Sequence, residues 1–94
     1  MRWLIERRLR TLTGGVRRAL DELRQIDAEL EQVGVVAEQA RIRALVADDA
    51  QATLDGFHAQ RSADTLVSAR ASIEKRLARL RAQQDELLDE LGNA

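Results

Sequence analysis

The side chains with chemical potential in this chain are few and fall in two places. One is a short polar stretch, where Asp48, Asp49, Asp55 and His58 lie close together. Carboxylates and an imidazole are ligand types for divalent metals. Their spacing works against that use. One histidine with three aspartates at irregular intervals fits no ligand motif, and the stretch reads as the solvated tip of a turn. The other place is the start of the chain, residues 2–12, which is basic, amphipathic and carries Trp3. Such a segment can lie on an anionic membrane or grip nucleic-acid phosphates. Its candidate anion contacts are Arg2, Arg7, Arg8, Arg10, Arg17 and Arg18. The competing reading assigns Ile5, Leu9 and Leu12 to a helix seam and turns the arginines toward an acidic C-terminal stretch. The formal net charge of −1 favours that reading over a dedicated nucleic-acid binder. There is no glycine-rich phosphate loop, no paired metal-ligand motif and no nucleophile–base arrangement. The expectation is a non-enzymatic protein without cofactor or metal.

What must position these groups is a pair of long helices. Apolar residues recur at Ile5, Leu9, Leu12, Val16, Ala19, Leu23, Ile26, Leu30, Val33, Ala37, Ala40, Ala44 and Ala47, alternating steps of four and three without a slip. At the chain's 45% hydrophobic content, thirteen apolar residues at thirteen chosen positions would arise by chance on the order of once in 30,000. A second array has the same alternation: Ala52, Gly56, Ala59, Ala63, Leu66, Arg70, Ile73, Leu77, Leu80, Gln84, Leu87 and Leu91. Each is the a/d seam of a coiled coil, whose knobs require a facing helix. Composition agrees. The 94 residues include no proline and two aromatics, so the chain is one small domain without an ordinary globular core.

Gly14, Gly15 and Gly34 lie off the first seam. Each costs a helix about 1 kcal/mol relative to alanine without removing a knob. The seam therefore predicts one helix in phase through Gly14-Gly15. The alternative ends a short helix at Leu12 and starts the next on Thr13 as N-cap. A turn is expected within residues 46–56. Asp48-Asp49 is a good turn former there, and Gly56 is an alternative source of positive φ. The fold expected is all-α, a single antiparallel two-helix coiled-coil hairpin over residues 1–94. Its arms cover about 3–47 and 52–91.

In an antiparallel coil, facing residue numbers sum to a constant. A sum of 96 pairs Leu9 with Leu87, Val16 with Leu80 and Leu23 with Ile73. A sum of 103 pairs Leu12 with Leu91, Leu23 with Leu80 and Leu30 with Ile73. Both match large residues with large ones and leave small residues near the turn. Charge supports the antiparallel sense under either. The arginine-rich residues 1–20 come beside Asp85, Glu86, Asp89 and Glu90. The acidic run from Asp21 to Glu31 comes beside Arg70, Lys75, Arg76, Arg79 and Arg81. Arg70 and Gln84, polar residues within the second seam, read as register-setting.

Val35, Val36, Ile42, Leu45, Val46, Leu54 and Phe57 occupy no seam position, so a hairpin cannot bury them. They cluster near the turn and are the candidate interface. A two-helix hairpin of this size is marginal alone. These residues are therefore expected to join two chains into a homodimeric four-helix assembly that also meets a protein partner.

The stretches Arg41-Ile42-Arg43-Ala44-Leu45-Val46, Ala59-Gln60-Arg61-Ser62-Ala63-Asp64 and Gln84-Asp85-Glu86-Leu87-Leu88-Asp89 resemble short uncharacterised coiled-coil proteins of high-GC Gram-positive bacteria. The resemblance spans about half the chain and implies a helical coiled-coil fold without pointing to an activity. No apolar run approaches the roughly 18 residues of a membrane span. The basic opening is not followed by a signal-peptide apolar core, so a cytoplasmic protein is expected.

Overall fold

The computed structural model describes residues 1–93 as an all-α antiparallel hairpin of two helices, α1 (Arg2–Ala47) and α2 (Ala50–Asn93). The apolar seam chooses which residues turn inward. Every array position except Ala47 is buried or half-buried, including the polar Arg70 and Gln84, while most other positions are exposed. Ala19, Ala40, Ala52, Ala59, Leu77 and Leu87 are the most buried hydrophobic residues. Among the described residues no large side chain is fully buried. Two helices cover each other on one side only, so a leucine knob keeps part of its flank in water.

α1 is continuous through Gly14 and Gly15, and no helix starts at Thr13. The Thr13 hydroxyl instead donates to the Leu9 carbonyl at 2.8 Å, the back-bond open to a threonine inside a helix. At Gly15 the missing side chain has a packing consequence. A Cβ there would stand 3.3 Å from Leu80 Cδ1, so glycine gives that knob its room.

Two residues make the turn. Asp48 adopts φ 48°, the left-handed conformation that closes a helix C-terminus and that aspartate tolerates better than most residues. Asp49 then caps α2. Its carboxylate accepts the Gln51 amide at 3.0 Å, and its carbonyl accepts the Thr53 amide at 3.2 Å. Gly56 lies within α2 and contributes no positive φ. Asp48→Gly should therefore raise stability by about 0.5–1 kcal/mol by removing left-handed strain. Asp49→Ala should lower it by about 1 kcal/mol by removing the cap. Thermal unfolding of the two variants beside wild type checks both signs.

The hairpin divides into two compact units, Met1–Leu23 with Ala71 onward, and Arg24–Arg70. In the first, Gln84 Nε2 donates to Thr13 Oγ1 at 3.3 Å, and Arg76 pairs with Glu22. In the second, Arg70 Nε donates to Asp27 Oδ1 at 2.7 Å, and Arg43 pairs with Asp55 at 3.4 Å. These contacts put Leu12 opposite Gln84 and Ile26 opposite Arg70, the pairing whose numbers sum to 96. The sum of 103 would displace each pair by about 9 Å along the helix, well beyond hydrogen-bond reach.

Candidate interaction surface

The seven candidate-interface residues, Val35, Val36, Ile42, Leu45, Val46, Leu54 and Phe57, are all exposed, from 47% at Ile42 to 82% at Val46. All belong to the unit Arg24–Arg70. Heptad position then separates them. Val35, Ile42 and Val46 share the back of α1, turned away from α2, where Ile42 sits between Gln39 and Arg43. Leu54 lies on the back of α2. Val36 borders one groove between the helices, together with Gln32, Asp55, His58 and Ser62. Leu45 and Phe57 stand on the opposite groove. The candidate interface of the sequence is thus several faces around the turn-proximal unit.

The Leu45–Phe57 groove is the most apolar of these surfaces. Its floor is Ala37, Ala40, Ala44 and Ala52, and its volume is about 520 Å³. Alanine at the seam explains the shape. Small knobs let two backbones approach closely and leave a shallow channel where leucine would have filled the space. Gly34 and Gly56 deepen it, since a Cβ at either would meet nothing within 4 Å. The polar rim carries Glu38 and Arg41. Arg41 donates from Nη2 to Glu38 Oε1 at 2.6 Å and from Nε to Oε2 at 3.0 Å. This pairing holds the Glu38 carboxyl below the ordinary carboxylate range and raises the already high Arg41 value.

Among the polar candidates, Asp55 is occupied by protein partners. It pairs with Arg43 and accepts from Gln51 Nε2 at 3.1 Å. His58 borders the Val36 groove beside it. Among the described residues no three histidine or acidic side chains converge to hold a metal ion. The basic segment is partly engaged within the chain. Arg2 pairs with Glu6 at 3.4 Å, and Arg8 shares a groove with Glu86 and Glu90. Arg18 lies along Gly14 and Gly15, while Arg7, Arg10 and Arg17 are exposed. Trp3 is 59% exposed. No helix among the described residues is long and apolar enough to cross a membrane.

Cross-helix charge pairs give the hairpin an acid limit. Asp27 titrates below its ordinary value, chiefly because Arg70 donates a hydrogen bond to it. A carboxyl whose value is lower folded than unfolded stabilises fully above the unfolded value and loses that contribution as pH falls through the folded one. Asp27 and Glu38 both shift this way. Stability should hold from neutrality to about pH 5 and decline below about pH 4. Arg70→Met should flatten the decline by removing the Asp27 share. Melting curves of both proteins from pH 7 to pH 2.5 check this.

Compared with known proteins, the chain matches no family model, no curated protein and no solved structure.

Proposed function

We propose that this chain is a non-enzymatic coiled-coil module of the cytoplasm. It works by protein–protein association, as a homodimer joined through its turn-proximal unit that presents further coil surface to a protein partner. The observation that carries this reading is a mismatch in side-chain size. In the turn-proximal unit the seam is largely alanine, while eight large apolar side chains of the same unit, Val67 among them, lie exposed. Burying a side chain such as Ile or Phe is worth about 1.5–3 kcal/mol, so several per chain outweigh much of the entropy lost on association. The open grooves favour docking of a helix over enclosure of a small substrate.

Thermal unfolding across a hundredfold range of protein concentration tests the association. A dimer's melting temperature rises with concentration, whereas a monomer's stays fixed. The rival reading is an anion binder acting through Arg2, Arg7, Arg8, Arg10, Arg17 and Arg18. It is tested by co-sedimentation with anionic vesicles and by a nucleic-acid gel shift at low and high salt. Salt-sensitive binding in either assay would support that rival.

A further inference from the structure

Both helices bordering the Leu45–Phe57 groove carry a set of residues that suits a reversed copy of itself. On α1, Gly34, Glu38, Arg41 and Leu45 form one stripe at steps of four, three and four. Read against its own reverse, the stripe is complementary. Leu45 comes over Gly34, a large side chain over an open position, and Glu38 comes over Arg41, opposite charges. On α2, Thr53, Gly56, Phe57 and Gln60 border the same groove. Reversed about the point between residues 56 and 57, they bring the two Phe57 side chains against each other, about 1.5 Å apart along the helix axis, and set Thr53 over Gln60.

The α1 pairs are centred between residues 39 and 40. The α2 pairs are centred between residues 56 and 57. In the hairpin register, where facing numbers sum to 96, residue 39 faces 57 and residue 40 faces 56. Both centres therefore lie at one level of the turn-proximal unit. A two-fold axis in the groove face, perpendicular to the helices, reverses each helix over its own copy at that level. Such an isologous contact is what a closed dimer requires.

We infer that the occupant of this groove is a second copy of the chain, packed face to face and antiparallel about a two-fold axis level with residues 39–40 and 56–57. Leu45 of each copy enters the Gly34 position of the other, the two Phe57 side chains meet at the axis, and Glu38 of each meets the other's Arg41. This inference rests on the homodimer proposed above and adds its face, its sense and its register. The two grooves merge into the core of a four-helix bundle. Val35, Ile42 and Val46, on the back of α1, stay outside this dimer and remain the surface for a further protein.

Charge exchange tests it with the full chain. Glu38→Arg places like charges at both rim contacts of a homodimer, and so does Arg41→Glu. Each variant alone should dimerise about tenfold more weakly than wild type. Mixed one to one, the pair restores Arg-to-Glu contact at both sites. The heterodimer should then exceed the statistical half of all dimers in native mass spectrometry. Gly34→Leu is the second variant. It fills the pocket for Leu45 while improving helix propensity, so helicity should hold or rise as dimer affinity falls roughly tenfold or more. A folding defect produces the opposite helicity change. A statistical mixture, or Gly34→Leu dimers as tight as wild type, would overturn this face and register and leave the homodimer standing. A wild-type chain that stays monomeric would overturn both and assign the groove to a different protein.

Discussion

Leu77→Ala should lower the unfolding free energy by about 2–4 kcal/mol, a large share of the stability available to a hairpin this small. Leu77 is among the few large side chains approaching full burial, at 7% exposed, and the register sets it opposite Ala19, which is 0% exposed. The layer therefore pairs one large residue with one small one, and nothing on α1 can expand to fill the space the leucine leaves. Water reaches the truncated layer from the open sides of a two-helix structure, which keeps the cost below the upper end of the usual range. Leu88, 53% exposed, is the matched control. Leu88→Ala should change stability by less than about 0.5 kcal/mol. Denaturant unfolding of the two variants beside wild type measures the difference.

Ala40→Leu should be nearly as damaging for the opposite reason. Ala40 has no exposed surface, and it sits on the seam where neighbouring knobs are also alanines. A leucine there adds three carbons at a position that leaves no exposed surface, so its neighbours must give way and the two backbones must separate. Overpacking of this kind costs about 1–3 kcal/mol, occasionally more. The same change at exposed Ala28 should cost little. Amide hydrogen exchange separates this effect from a general loss of stability. Protection should fall within residues 24–70 while the unit containing Leu77 keeps its own. Uniform loss across both units would mean that the alanine seam is not a tightly packed element.

Much of the hairpin was legible because a coiled coil writes its core at fixed spacing. The seam positions read from the sequence are, apart from Ala47, the positions that the helices turn inward. Ala47 is the last residue of α1, where no facing residue remains to cover it. The register was less legible, since seam residues of similar size recur every seven positions and two alignments matched them equally well. The polar seam residues held the answer. With a sum of 96, Gln84 lies next to Thr13 and Arg70 next to Asp27, each with a partner in reach. With 103 they face Ala19 and Val33, which offer no partner atom in their side chains.

The apolar residues near the turn were visible as a set, but their division was not. A list of exposed side chains carries no angle until the heptad is applied to both helices in the correct register. Only then do Leu45 and Phe57 share a groove while Val35 and Ile42 turn away. In the sequence Gly34 reads as a helix weakness and Gly56 as a source of positive φ for the turn, yet in the groove Gly34 is an open position for an incoming side chain. The left-handed conformation of Asp48 is not legible in the sequence, because glycine is the usual occupant of that conformation and Gly56 lies close by.

The central claim is that a second copy covers the turn-proximal unit. Sedimentation equilibrium of the wild-type chain at neutral pH and moderate salt, at loading concentrations spanning about 1–100 μM, tests it most directly. The expected result is a single self-association fit to twice the chain mass, with dimer predominating at the upper concentrations. A mass of one chain throughout that range would contradict it.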